Sequence, residues 1–223
     1  MIALVFIIVI VSYLLGSIPF GYLLVRVFRG QDVRKSGSGN IGATNVARTG
    51  SKGLGILTLL LDAAKGYEAV AFTFWLAARH DIERPTSAGI DGGATARVSG
   101  HTVLLLAALA AFMAILGHMF TVWLRFKGGK GVAAAAGSFV ALAPRAMLVA
   151  LILFVAVVAL TRYVSLGSMV AGAAFPLCVW WLTPAERVTA PILLLIAASS
   201  LLIIVRHKDN IRRLLAGTEN RFR

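Results

Sequence analysis

The chain is poor in charge and poorer still in cysteine. Only 14% of its 223 residues are Asp, Glu, Lys or Arg, against 59% hydrophobic, a balance too apolar for an ordinary soluble domain. Its one cysteine, Cys178, lies inside an apolar run; an internal disulfide is excluded, and the spacing to the histidines offers no metal site. No charged side chain falls within residues 1–25. A cleaved secretory leader has a basic start, a short apolar core and a small-residue cleavage site. Here the basic start is missing and the apolar run is too long, so the segment reads as a retained transmembrane helix. Acidic residues are also scarce: nine against 22 Lys and Arg, for a formal net charge of +13. Such basicity raises nucleic acid as a partner, but no DNA- or RNA-binding motif accompanies it. No internal repeat, metal-ligand cluster or GxSxG nucleophile elbow is present.

What the sequence has in abundance is apolar length. Segments at about 2–25, 54–78, 102–124, 131–143, 146–161, 165–183 and 188–205 are the candidate spans, a hydrocarbon core needing ~20 residues. The breaks carry Gly-rich stretches, Pro144 in "APRA" and Pro184 in "TPAER", which are ordinary punctuation. The expectation is an all-α membrane protein of about seven transmembrane helices, one domain over 1–223. The fourth candidate is short, and 131–161 is open to a re-entrant reading. With the N-terminus outside, the inner segments 26–53, 118–130, around 162 and 206–223 hold sixteen of the 22 Lys and Arg. The outer segments hold five (Arg79, Arg84, Arg97, Arg145, Arg187), and Lys65 lies within a span. The positive-inside rule then favours N-terminus out, C-terminus cytoplasmic, and the same bias accounts for the basicity without nucleic acid. The 79–101 loop reads as exposed, with no chemistry expected.

This topology gathers four hydrophilic stretches at one rim: 36–50, 117–131, 161–168 and 206–223. In "RKSGSGNIGATNVARTG" (34–50), Gly37, Gly39 and Gly42 open backbone angles closed to other residues. Ser38, Asn40, Thr44 and Asn45 supply short hydrogen-bonding side chains. Successive backbone N–H groups in such a loop form an anion-binding concavity, and Arg48 adds a fork suited to phosphate; the competing reading is a flexible connection. "FKGGKG" (126–131) sets Lys127 and Lys130 about Gly128 and Gly129 just before a helix start, which attracts phosphate. It is no P-loop, since Leu124 stands where the first glycine belongs and Gly131 where the hydroxyl belongs; a basic edge loop that only fixes orientation is equally open. "RHKDNIRRLLAGTEN" (206–220) spaces Ile211, Leu214 and Leu215 as an amphipathic juxtamembrane helix, and puts His207 and Asn210 on one face. Asp62 and Lys65, at i and i+3 within the second apolar run, read as a structural pair facing the bundle interior. Ser165, Ser168 and His118 are ambiguous.

Taken together, "GSGNIGATN", "FKGGKG" and "RHKDNIRRLLAGTEN" resemble the three signature motifs of the bacterial acyl-phosphate:glycerol-3-phosphate acyltransferases, and the resemblance in segment order covers almost the whole chain. It implies transfer of a fatty acyl group from acyl phosphate to the 1-hydroxyl of glycerol-3-phosphate at the cytoplasmic face of the bacterial inner membrane. Lysophosphatidic acid and phosphate would be the products, with no cofactor, no metal and no nucleic acid. By resemblance Ser38, Arg48, Lys127, His207 and Asn210 fall on active-site positions. Gly37, Gly39, Asn40, Thr44, Asn45, Gly128, Gly129, Lys130, Ser165 and Glu219 fall on substrate-binding ones. Two departures stand out: Ala134 follows "GVA" where the family commonly has Thr, and the 79–101 loop is longer than family habit. The rival reading is a transporter of phosphate esters, whose site belongs near midplane on broken helices.

Overall fold

A computed structural model describes residues 1–48, 51–80, 100–183 and 188–221; most of the 79–101 loop, Asp81 included, lies outside them. The described residues form ten α-helices joined by turns, with no strand among them. The first apolar run breaks at Ile18–Pro19 into α1 (Ile2–Ser17) and α2 (Phe20–Arg29), which together still make one 28-residue apolar rod. The short α3 (Ala43–Arg48) follows, then α4 (Lys52–Arg79), α5 (Gly100–Met119), α6 (Val132–Leu142), α7 (Pro144–Thr161), α8 (Val164–Leu182), α9 (Ala190–Val205) and α10 (Lys208–Leu215).

Each of the seven expected apolar segments contains a helix, but not all seven are long and apolar enough to be spans. By length and apolar composition four can cross a membrane, or five if α9 and α10 count as one segment bent by 53°. α4 is long enough but carries Asp62, Lys65 and Glu68. α6 has 11 residues, roughly 16 Å at 1.5 Å per residue, well short of a ~30 Å hydrocarbon core. It stops at Ala143, and Pro144, with its fixed φ, starts α7 in the first helical position. The third run also ends earlier than its hydropathy suggests: helix stops at Met119, and 120–131 folds as a loop. Hydropathy could not see this, because Val122, Trp123 and Leu124 are apolar whether or not they are helical.

The outer surface is as apolar as the interior, and small polar residues are buried among the apolar ones. Ser12, Ser17, Thr58, Thr73, Ser138, Ser199 and Ser200 are buried, while Phe6, Ile10, Leu148, Ile152, Leu177 and Trp181 are exposed. Against lipid, apolar burial between helices brings little gain, so association relies on close packing of small residues. α1 crosses α5 where Gly16 lies on the backbone of Ala114 and Gly117 on that of Tyr13. α4 meets α6 where Gly66 faces Ala134 and Gly137 faces Ala63, and the Ser138 hydroxyl donates to the Gly66 carbonyl at 3.0 Å. Beneath the site, Ile115, Met119, Phe139, Phe175 and Ile196 form the main core, with Phe139 and Phe175 stacked at 4.0 Å.

Replacing Gly137 with leucine forces α4 and α6 apart, and overpacking of this kind costs about 1–3 kcal/mol. The thermal unfolding midpoint of the purified protein in detergent is expected to fall by several degrees; an unchanged midpoint would show that this crossing is loose.

Candidate active site

The four hydrophilic stretches meet at one end of the bundle, each built differently. In the first, Asp32 caps a 3-10 turn at Val33–Lys35 and pairs with Arg34 at 2.6 Å; the guanidinium holds the Asp32 carboxyl down at about 2. The loop then winds around Asn45, which is 2% exposed. Its Oδ1 accepts the Ser38 N–H at 2.8 Å, and its Nδ2 faces the carbonyls of Val33, Ser36 and Asn40 at 2.8–3.2 Å. Asn40 accepts the Gly42 N–H at 2.8 Å. Gly37 and Gly39 take φ of +57° and +71°, angles that L side chains adopt only with strain. Val25, Val33, Ile41, Val46 and Leu124 anchor the loop from below. The amides of Asn40 and Asn45, expected among the substrate-binding groups, bond the backbone of the loop itself. Ser38, Thr44 and Arg48 remain exposed on its outer surface.

The second stretch folds back over the end of α5. Gly128 and Gly129 N–H groups donate to the carbonyls of Met119 and His118 at 3.1 and 3.0 Å, so two orphan acceptors of the helix end are satisfied by the loop. Arg206, at the end of α9, donates to the carbonyls of Gly128 and Gly129 at 3.2–3.3 Å. Arg125 and Phe126 both take positive φ, +53° and +62°, unusual for residues with side chains. Lys127 is exposed; Lys130 points inward.

Lys130 begins a chain of polar contacts that ties the remaining stretches together. Its ammonium donates to Asn210 Oδ1, and Asn210 Nδ2 donates to Glu219 Oε1 at 2.6 Å. The same oxygen accepts the Ser165 hydroxyl at 2.8 Å, and Glu219 Oε2 accepts Arg213 Nε at 2.6 Å. Burial works against the charge on Glu219, but the bonds from Asn210, Arg213 and Ser165 outweigh it and keep the carboxyl below its usual range. Burial lowers the Lys130 ammonium to about 8, with Arg213 and Arg48 pressing on it; the first loop thus bears electrostatically on the second. His207 is buried beside them. Burial pushes its imidazole down to about 4 even though the Ile203 carbonyl opposes the shift. The 2.7 Å contact between Nδ1 and that carbonyl makes Nδ1 the protonated nitrogen and leaves a lone pair on Nε2.

Lys130, Ser165, His207, Asn210 and Glu219 are thus brought together with Gly128 and Gly129, while Ser38, Thr44, Arg48 and Lys127 are displayed at the surface around them. Arg206 was counted in the sequence only as an orienting cation, and nothing in its spacing marks it as a ligand for two carbonyls 77 and 78 residues away. The Asp62–Lys65 pair is present at 2.8 Å, and His118, ambiguous in the sequence, joins it with Nδ1 3.6 Å from Asp62. Among the described residues no group of His, Cys, Asp and Glu could hold a metal ion.

The family model described as glycerol-3-phosphate acyltransferase matches residues 6–217. Proteins named glycerol-3-phosphate acyltransferase from Rhodopseudomonas palustris (strain BisB5) and Geobacter sulfurreducens are 44% and 45% identical. Those alignments cover 95% and 96% of this chain and 93% and 95% of the relatives. The crystal structure of PlsY, an integral membrane glycerol 3-phosphate acyltransferase, in its glycerol 3-phosphate form superposes with a TM-score of 0.81 at 33% identity, over 98% of this chain and 96% of that one. Its lysophosphatidic acid form gives 0.78 at 32%, over 98% and 95%.

Glu219→Ala strips Arg213, Asn210 and Ser165 of their shared acceptor. Each charged hydrogen bond lost is worth about 1.5–3 kcal/mol, so the unfolding midpoint should drop measurably in a thermal melt. A melt identical to wild type would mean that the Glu219 contacts carry no stability.

Proposed function

The chain belongs to the glycerol-3-phosphate acyltransferase family, and from that premise we propose that it transfers a fatty acyl group from acyl phosphate to the 1-hydroxyl of glycerol-3-phosphate. The observation that carries this reading is the convergence of an exposed Ser–Gly–Thr–Arg loop and a Lys–Gly–Gly–Lys loop on the Lys130–Asn210–Glu219 chain. Both substrates carry phosphate, and both loops offer cations and backbone N–H groups to it. Ser38, Arg48, Lys127, His207 and Asn210 are the groups proposed to contact the substrates, with Gly37, Gly39, Thr44 and Lys130 completing the phosphate contacts; Gly128 and Gly129, whose own peptide groups are engaged, leave room for the phosphate to approach. Ser165 and Glu219 hold Asn210 in place.

An open, largely apolar groove runs along α6 away from the site, where an acyl chain would lie. α6 begins two residues after Lys130, and its Ala136, Gly137 and Val140 line a groove of about 600 Å³ with Leu60, Tyr67 and Met147 from α4 and α7. That volume lies within the ~300–1,000 Å³ of ordinary ligand sites. The phosphates then sit at the cytoplasmic edge of the inner membrane while the alkyl chain stays in the bilayer. The excess of Lys and Arg at the site end favours that orientation.

The transfer is direct. The glycerol hydroxyl oxygen attacks the acyl carbonyl carbon, the bond from that carbon to the bridging phosphate oxygen breaks, and phosphate leaves. Acyl phosphate is already an activated anhydride, so no enzyme nucleophile is required. Cys178 lies mid-helix in α8, and the Ser165 hydroxyl donates its hydrogen bond to a carboxylate, not to an imidazole. The base is the substrate's own phosphate, whose second pKa is roughly 6. An imidazole held at about 4 accepts a proton less readily, so His207 orients the substrate rather than deprotonating it. Alignment of the two substrates contributes much of the rate, effective molarities for such alignment reaching ~10⁵ M. Lys127, Lys130 and Arg48 offset charge growing on the carbonyl oxygen and the leaving phosphate.

Purified protein should transfer the acyl group from acyl phosphate and not from acyl-CoA; the reverse preference would overturn the donor assignment. Lys127→Ala should raise KM for glycerol-3-phosphate at least tenfold, and unchanged turnover at limiting substrate would remove it from the site. The Lys130 charge is present below about 8 and lost above it, so kcat/KM for glycerol-3-phosphate should fall as pH rises past that value. Lys130→Arg, charged throughout, should lose this upper limb; a limb that persists would exclude Lys130 as its source.

A further inference from the structure

The peptide groups of Gly128 and Gly129 have both of their polar atoms engaged. Their N–H groups are bound by the end of α5 and their carbonyls by Arg206. The glycine pair has no side chains of its own to set its direction; within the loop the Lys130 ammonium is tied to Asn210. Arg206 is steadied in turn by lying over the Phe120 ring, 5.4 Å from its centre. On the other side Gly129 lies directly on the imidazole of His118, with no room for a side chain between them.

Behind His118 stands a cluster that the proposed chemistry does not use. His118, Asp62 and Lys65 are 3%, 2% and 4% exposed. Lys65 bonds Asp62 at 2.8 Å and donates to the Ile18 carbonyl at 2.7 Å, where α1 gives way to α2. Ionisable groups sealed inside a membrane bundle are costly, and such groups are kept where they do something. This cluster lies beneath the glycine pair, joining the α1–α2 break to α4 and α5. Beyond the pair, α6 starts at Val132 from Gly131, which has no side chain with which to cap it. The direction of the glycine pair therefore sets where the first N–H groups of α6 and the flanking lysines point.

We propose that Arg206 and His118, the latter backed by Asp62 and Lys65, are positioning residues that touch no substrate and aim the 126–131 loop at the phosphate of glycerol-3-phosphate. The proposal rests on the acyl-transfer reading for the identity of that phosphate. Arg206 holds the loop by its carbonyls, and His118 fixes its depth by filling the space under Gly129. Removing either loosens the grip on phosphate while leaving the acyl groove and the first loop intact.

The test is steady-state kinetics with both substrates varied, alongside calorimetric titration of glycerol-3-phosphate into the purified protein. Arg206→Ala should raise KM and the dissociation constant for glycerol-3-phosphate about tenfold or more, with KM for acyl phosphate changed less than twofold; Arg206→Lys should recover part of the loss. Gly129→Ala should be severe alone and milder when combined with His118→Ala, because the added methyl then has somewhere to go. An Arg206→Ala protein that binds glycerol-3-phosphate as wild type does, or loses only kcat in proportion to its folded fraction, would overturn the role of Arg206. Strict additivity of Gly129→Ala and His118→Ala would overturn the role of His118. Wild-type protein inactive with acyl phosphate would instead sink the donor assignment, and the titrations would still decide the positioning role.

Discussion

Where a backbone leaves the helix at the edge of a bilayer, its peptide groups need partners, and there is too little water to supply them all. That constraint governs this structure. The first loop solves it with one buried amide, Asn45, which bonds backbone groups from Val33 to Asn40. The second solves it by lying on the end of α5 and giving its carbonyls to Arg206. The C-terminal stretch solves it with a carboxylate, Glu219, that gathers Ser165, Asn210 and Arg213. In each case a side chain with several bonding positions replaces the ladder a helix would have provided.

The division of labour follows from this. Because Asn45, Arg206 and Glu219 satisfy the framework, the groups at the rim (Ser38, Thr44, Arg48 and Lys127) are left exposed. Loops that were flexible would have to be ordered by the ligand, at a cost in conformational entropy for every residue fixed. Here the glycine loops are already held in place by their neighbours, so the freedom their glycines would otherwise contribute is largely spent in the folded protein.

Burial then tunes the charges that remain. Lys130 and His207 stand within the same network, and burial lowers both. The consequences differ. A lysine at about 8 is still a cation at neutral pH and still attracts phosphate. A histidine at about 4 is neutral there, serving as an acceptor and not as a charge. One environment thus yields a cation and a neutral imidazole side by side. The bundle below is packed through glycine and serine, which lets helices approach closely and brings loops that are 77–80 residues apart into hydrogen-bonding contact.

The sequence by itself determined the helical membrane architecture, the positions of its apolar segments and the end at which the charges collect. These follow from local hydropathy and charge, which each segment carries on its own. Three motifs in order were enough to point to the family, and the Asp62–Lys65 pair was legible because i and i+3 are neighbours on any helix. Only the tertiary structure decided what each polar residue in those motifs does. Asn40 and Asn45 look like ligand groups in a string of Gly, Ser and Thr, and the structure shows them also bonding the loop's own backbone. Arg206 looks like one more inward cation, yet it grips two glycine carbonyls. The early end of α5 and the brevity of α6 were equally hidden. Whether a hydrogen-bonding group faces a substrate or a peptide depends on which distant backbone is packed against it, and no local pattern records that.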